Sequence, residues 1–508
     1  MVGISGKIAF NVIANYLGQG WSALMAIAFL PVYIAELGFE SFGLIGFFAV
    51  LQSALSVFDF GITATLTREA AQQSNGMRTA QSLRELVRSC ELVCGASNIF
   101  IALIVWVLAD RLASDWVNTR LLEPESVATS IALMSIVITT RLQEGIYRGV
   151  LLGMGMQVLL NIVIALLATV RYAGAVSVLL YGSPNIVTFF VWQVLVSLIS
   201  LVVLAAFTYR RLPMTHQPQR FSIEALASIW RFSAGMAVVA GLSILMANLD
   251  RLILSGIIQL DEFGRYALAA AAASTLYLFA VPITQGFYPD MVGMYSRADR
   301  NGLTRLHHVS SQMVAVAAGS MAIIFIVFSK PILFVWSGNA VFANEISPIF
   351  SILAVAALSN CLGHVGHNLQ IVTGATKGLA FTSIGAVLLM LFILPVAVAN
   401  QGVAGAAKAW MVIATLQAAI VLYLPHRNCV QGEGLSWLLR DIIPPLTGAA
   451  ATAWLFSYLI PQPEMGRLAL AAFLVVAACS SFAAAMCLAP EVRARLKSII
   501  RQKRSKPC

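Results

Sequence analysis

The chain has 508 residues, 59% hydrophobic and only 11% charged, with a formal net charge of +10. A soluble domain carries roughly 25% charged residues, so this composition excludes a water-soluble enzyme or binding domain and places the chain in lipid. The basic charge then reports topology and contact with anionic lipid rather than nucleic acid.

Fourteen apolar stretches follow one another, most long enough to cross ~30 Å of hydrocarbon with ~20 residues. They fall at about 9–35, 42–66, 89–110, 127–147, 157–180, 185–208, 232–258, 264–288, 310–336, 346–371, 379–400, 403–424, 441–460 and 468–489. The first is too long for a signal-peptide core and lacks a small-x-small cleavage site, so it is read as a mature helix. The fold expected is an all-α polytopic membrane protein with about 14 transmembrane helices. Lys7, Arg68, Arg84, Arg148, Arg210, Arg211, Arg297, Arg300 and most other basic residues share one side with a tail holding Arg493, Arg495, Lys497, Arg501, Lys503, Arg504 and Lys506. Positive loops stay cytoplasmic, so both termini are expected inside.

An internal repeat is visible. "LGFESFGLIGFFA" carries Phe42-Gly43 behind Glu40, and "QLDEFGRYALAA" carries Phe263-Gly264 behind Asp261, offset by 221 residues. "RLASDW" and "PILFVW" end at Trp116 and Trp336, offset by 220. Duplication of a six-helix unit gives an N-terminal lobe (1–208), a cytoplasmic linker (209–231), a C-terminal lobe (232–424), two further helices (425–489) and a basic tail (490–508). Two parallel repeats imply a central cavity between the lobes.

Polar residues inside the spans lie in stripes at helical spacing. Span 1 has Asn11, Asn15 and Ser22; span 2 has Gln52, Ser56, Asp59 and Thr63. Span 7 has Asn248, Arg251 and Ser255; span 8 has Ser274, Tyr277, Gln285 and Tyr288. These stripes either line a shared cavity or join helices by hydrogen bonds. Charges within spans are costly and point to function. Arg141 and Glu144 sit in span 4, Arg171 in span 5, Asp250 and Arg251 in span 7, and Lys408 near the outer end of span 12. An arginine presents a planar fork suited to phosphate or carboxylate. Arg141 could neutralise Glu144 locally or face substrate. Arg171 has no acid near it in sequence and is the better substrate ligand. Arg251 could pair with Asp59 across helices. Span 10 holds Asn360, His364, His367 and Asn368, whose histidines are read as packed side chains, proton carriers or, least of all, metal ligands. His307 and His308 are expected in a solvated cytoplasmic loop. The seven cysteines form no disulfide framework, and Cys90 and Cys94, one turn apart, fit a helix surface better than a metal site. "TGATKG" around Lys377 lacks the spacing of a phosphate-cradling loop, so no nucleotide or other cofactor is expected.

The segments "FDFGITATLTREAAQ" (Phe58–Gln72), "NLDRLILSGIIQLDEFGRYALA" (Asn248–Ala269) and "SKPILFVWSGN" (Ser329–Asn339) resemble the polysaccharide-repeat (Wzx-type, O-antigen or exopolysaccharide) flippases of the multidrug/oligosaccharidyl-lipid/polysaccharide exporter superfamily. The resemblance covers about residues 5–425. It implies two six-helix lobes working by alternating access on a polyprenyl-diphosphate-linked glycan, in a bacterial inner membrane. Lipid-linked peptidoglycan precursor flippases and multidrug exporters of the superfamily are the rivals. The first lack a match here to their arginine- and aspartate-rich first span, and the second want acidic cavities. The substrate ligands expected are Arg171, Arg251, Arg141, Asn11, Asn15, Asn248, Tyr277, Gln285 and Asn360. The ion carriers expected are Asp59, Asp250, Glu144, His364 and His367. Anionic lipid, a polysaccharide polymerase and glycosyltransferases are the expected partners of a monomeric, non-enzymatic protein.

Overall fold

A computed structural model describes residues 18, 20–74, 76, 79–214, 221–373, 376–428, 434–460 and 466–494. Among these residues the chain is helical almost throughout, with one isolated bridge between Asn118 and Gln259 and no strand. It divides into two compact units, Met1–Gly264 and Arg265–Cys508.

In the first unit α1 covers Leu30–Leu55, followed by a 3-10 turn at Ser56–Asp59. Then come α2 (Ile62–Ser74), α3 (Ala80–Arg111), α4 (Pro124–Gly153), α5 (Gln157–Tyr181), α6 (Ile186–Arg211) and α7 (Ile223–Ile257). Helix α8 (Leu260–Ser274) leads into the second unit. That unit holds α9 (Tyr277–Ser296), α10 (Arg300–Val314), α11 (Ser320–Val327), α12 (Ser329–Ser337) and α13 (Ala340–Val372). It continues with α14 (Thr376–Asn428), the single turn α15 (Gly434–Trp437), α16 (Ile443–Ser457) and α17 (Gly466–Cys487).

Ten helical runs among the described residues are long and apolar enough to cross a membrane, so the chain is a multi-pass membrane protein. One of them, Phe381–Tyr423, contains both spans expected there. The two meet at Gly402, whose φ of 55° and ψ of −140° suit only glycine. Gly38 (φ 79°, ψ 169°) likewise separates the end of the first expected span from the second. Side chains close several helix starts: Thr79 accepts from Ser82 N–H, Asn185 from Val187 N–H, and Ser222 from Ala225 N–H.

Lipid tails supply no hydrophobic drive between helices, so close approach of small residues must hold them together. Two places show this. The Phe-Gly pairs of the apparent repeat meet each other. A Cβ on Gly43 would lie 2.0 Å from the Leu260 carbonyl oxygen, and one on Gly264 would lie 2.5 Å from that of Phe39. Phe42 and Phe263 are buried beside them. The acid before the first pair ties down the backbone nearby, since Glu40 accepts the N–H groups of Arg120 (2.5 Å) and Leu121 (2.8 Å). The other tight crossing lies between α2 and α4, where Gly145, Gly149 and Gly153 let Thr63, Thr67 and Ala70 approach. The two tryptophans of the repeat differ locally. Trp116 ends a π-helical turn, Leu112–Trp116, and donates to Ser255 Oγ at 3.2 Å, whereas Trp336 lies in α12.

Candidate functional site

Helix α4 is the axis of the first unit. Its Ile146, Tyr147, Val150 and Leu151 pack with Leu66 and Ala70 of α2, Leu83, Leu86 and Val87 of α3, and Leu204 of α6. The face turned away from this apolar cluster carries Arg141, Gly145 and Arg148 at helical spacing.

The second expected span is not continuous beside that face. The chain leaves the helix at Ser56, passes through Phe60 (φ 50°) and Gly61 (φ 67°), and resumes as α2. Non-helical backbone at membrane depth is tolerated where it borders a polar cavity. Asp59 satisfies the restarted helix, its Oδ1 accepting the Thr63 hydroxyl at 2.7 Å and its Oδ2 the Thr63 N–H at 3.4 Å.

Between these elements and α5 lies a cavity of about 550 Å³, walled entirely by the first unit. All four residues of the second-span stripe, Gln52, Ser56, Asp59 and Thr63, line it, as does Ser22 of the first. Arg141, Arg148 and Arg171 bring three guanidiniums to the same space, with Tyr172 and Ser200. Each arginine is held differently. Arg141 donates to Gln52 Oε1 at 2.5 Å, and its guanidinium carbon lies 5.5 Å from the Phe48 ring centre. Arg171 is only 7% exposed, and its Nη1 donates to two neutral groups, Gln193 Oε1 (3.3 Å) and Ser197 Oγ (3.1 Å). Of the three, Arg148 is the one bonded to an acid, donating to Glu144 Oε2 at 2.8 Å.

Several sequence expectations change here. Glu144 neutralises Arg148, one turn on, rather than Arg141: both are at spacings that share a helix face, but the Arg141 guanidinium is packed over Phe48 and bonded to Gln52 instead. Asp59 is bonded to Thr63, and among the described residues no ion pair joins it to Arg251. Arg148, which the sequence places with the topology-setting charges, lines the cavity. Its spacing of seven from Arg141 is the signal that could have found it. Asn11 and Asn15 lie outside the described residues.

The remaining expected residues fall elsewhere. On α7, Asp250 is buried, Asn248 and Arg251 are half-buried, and Arg251 Nε has no hydrogen bond. Ser255 of the same stripe serves Trp116. In the second unit Tyr277 meets His364 edge-on at 5.8 Å between ring centres, and His364 lies 6.2 Å from His367. Asn360 is half-buried on α13, and Gln285 is exposed on α9. Lys408 donates to Gln401 at 2.7 Å. No cluster of metal-ligating side chains occurs among the described residues.

His307 and His308 are not loop residues. Both lie on α10, where His307 is fully buried and stacks on Trp437. His308 Nδ1 contacts Asp441 Oδ2, Gln312 donates to the other Asp441 oxygen at 2.7 Å, and Gln312 Oε1 accepts the Glu491 N–H at 2.9 Å. This buried network fastens the π-helical turn Leu438–Ile442 and the segment after α17 to α10.

The first unit thus presents a many-helix membrane fold with a cationic internal cavity. The model of the family described as polysaccharide biosynthesis protein matches residues 8–295. A Shigella flexneri protein named "Putative O-antigen transporter" is 21% identical over 423 residues, spanning 83% of this chain and 99% of that protein. Among solved structures, the lipid II flippase MurJ in an inward closed conformation aligns with a TM-score of 0.64 at 11% identity, covering 93% of this chain and 98% of its own. An inward-facing multidrug resistance transporter of the MATE family and MOP superfamily aligns with a TM-score of 0.63 at 13% identity, covering 80% and 94%. The chain belongs to the polysaccharide biosynthesis protein family, the grouping that the sequence segments resembled.

Proposed function

We propose that this protein is a flippase for a lipid-linked anionic glycan, a polyprenyl-diphosphate oligosaccharide used in cell-surface polysaccharide synthesis. The observation that carries the reading is the cavity lined by Arg141, Arg148 and Arg171. Two of its three guanidiniums make hydrogen bonds only to neutral side chains. Burying a cation without an acid costs several kcal/mol, and an incoming diphosphate recovers that cost through charge-assisted bonds. The same surplus of positive charge disfavours a cationic drug as cargo. The named relative and the flippase neighbour support a transporter rather than an enzyme.

In this reading Arg141, Arg148 and Arg171 grip the diphosphate, while Gln52, Ser56 and Tyr172 offer bonds to the first sugars. Asn11, Asn15, Asn248, Arg251, Tyr277, Gln285 and Asn360 remain proposed contacts for the rest of the glycan. The cavity opens alternately to each side of an inner membrane, both termini facing the cytoplasm. Ion flux through one of Asp59, Glu144, Asp250, His364 or His367 supplies directionality. Glycosyltransferases deliver the substrate, and a polymerase consumes it outside.

The test is binding by purified protein of a short-chain prenyl diphospho-sugar. Binding should fall by at least tenfold in Arg171→Gln and again in the double variant with Arg141→Gln. It should resist competition by a hydrophobic cation. Full binding by the double variant, or displacement by the cation, would refute the assignment.

A further inference from the structure

Helix α6 carries a polar stripe that the cavity lining only partly uses. Gln193, Ser197 and Ser200 stand at i, i+4 and i+7, so they share one face of the helix. All three are buried. Ser200 lines the cavity, whereas Gln193 and Ser197 do not. The side chain those two meet is Arg171 of α5.

Arg171 is fixed by α6 at both of its ends. At the backbone, Trp192 Nε1 donates to the Arg171 carbonyl oxygen at 3.2 Å. The indole presses so closely on α5 that a Cβ on Gly174 would lie 2.2 Å from its Cζ2. At the guanidinium, Gln193 Oε1 and Ser197 Oγ both accept from Nη1. Nη1 is the nitrogen on the Cδ side of the group, and two acceptors use both of its hydrogens. The opposite edge, Nε with Nη2, is left whole, and neither atom has an acceptor among the described residues. Arg141 is held in the same manner, its Nη1 donating to the amide oxygen of Gln52.

The choice of acceptors matters as much as their position. The charges that reach Arg171 are Arg141 and Arg148, which repel it, and Glu144, which attracts it without bonding to it. An amide and a hydroxyl hold the guanidinium without cancelling its charge. A carboxylate in their place would take up the fork and compete with an anionic ligand. With no acceptor there at all, a long and flexible side chain would have to be ordered each time a ligand bound.

We propose that Gln193 and Ser197 are positioning residues for cargo: they hold Arg171 by Nη1 so that its Nε–Nη2 edge is presented, already oriented, to two oxygens of one phosphate of the diphosphate. This rests on the flippase reading and names two residues outside the cavity wall that set its affinity for phosphate through an arginine in that wall.

Equilibrium binding of farnesyl diphospho-N-acetylglucosamine to the full-length protein tests this through double-mutant cycles. Gln193→Met keeps the volume and removes the amide oxygen. It should weaken binding about fivefold, which is the cost of ordering one long side chain on binding. Ser197→Ala removes the other acceptor and should weaken binding about threefold; it decides the matter alone if Gln193→Met does not fold. In an Arg171→Gln background neither substitution should weaken binding further, because the side chain they position is gone. General damage to the cavity would instead carry over to Arg141 and Arg148 and lower affinity again in that background. Parental affinity in either folded variant, or losses of the same size with and without Arg171, would overturn the positioning role and leave the flippase reading standing. No binding by the unmodified protein, or full affinity in Arg171→Gln itself, would overturn both.

Discussion

Gly149→Ala is a sensitive probe of the framework around the cavity. The added Cβ would lie 2.5 Å from the Thr63 carbonyl oxygen, whereas ordinary contact begins near 3.4 Å, a shortfall of about 0.9 Å (3.4 less 2.5). The obstacle is backbone, and the same carbonyl accepts the Thr67 hydroxyl at 2.8 Å, so it cannot turn aside cheaply. Helix α2 must move away from α4, taking Asp59 and Thr63 with it from the cavity wall. Overpacking of this kind costs about 1–3 kcal/mol. For a unit of this size that lowers the melting temperature by roughly 2–10 °C. The control is Gly95→Ala in α3, where a Cβ meets nothing within 4 Å; it should be neutral or gain up to ~1 kcal/mol from helix propensity. Thermal unfolding in detergent, followed by loss of the monodisperse elution peak, measures both. If Gly149→Ala melts at or above the parent temperature, the tight crossing does not set the position of the broken helix.

Other expectations follow from the same contacts. Arg171→Ala should weaken binding of a diphospho-sugar by about 10- to 100-fold, in keeping with ~1.5–3 kcal/mol for a charged hydrogen bond. Lys at that position should restore only part of it because the fork is lost, and an unaltered dissociation constant in the Ala variant would take Arg171 out of the site. Single cysteines at positions 74, 216, 299 and 500 should be labelled only from the cytoplasm and those at 118 and 340 only from outside. Labelling of position 216 from outside would refute the proposed number of spans before it. Gln312→Ala leaves Asp441 and the Glu491 N–H short of a partner, costing about 1–3 kcal/mol. Limited proteolysis should then cut sooner at Arg440 and Arg493, which flank the two anchored stretches, and an unchanged cleavage rate would mean that the network does not anchor them.

Much of this was legible in the sequence because lipid imposes simple rules. Long apolar runs mark the helices, and polar side chains that must avoid hydrocarbon mark the second-span stripe that lines the cavity. Arg141 and Arg171 were visible for the same reason. What escaped depends on backbone turns and partner choice. Nothing in the residues 55–62 forces the helix to stop, apart from Gly61, yet the interruption puts Asp59 where it is. Glu144 had basic residues at both i−3 and i+4, and only packing decided that Arg148 wins. His307 looked solvated because Arg305 and polar neighbours surround it in sequence. Its burial depends on Trp437, 130 residues away.

The most direct measurement is translocation itself. Proteoliposomes carrying a fluorescent short-chain prenyl diphospho-oligosaccharide can be quenched from outside with dithionite, so that label arriving from the inner leaflet is counted as it crosses. The unmodified protein should move the diphosphate lipid well above protein-free vesicles. A variant with Arg141, Arg148 and Arg171 all replaced by Gln should fall to that background at equal protein density. A neutral glycolipid with the same sugars should stay where it is. Equal transport of the neutral lipid, or full activity in the triple variant, would contradict a cationic cavity that carries its cargo by the diphosphate.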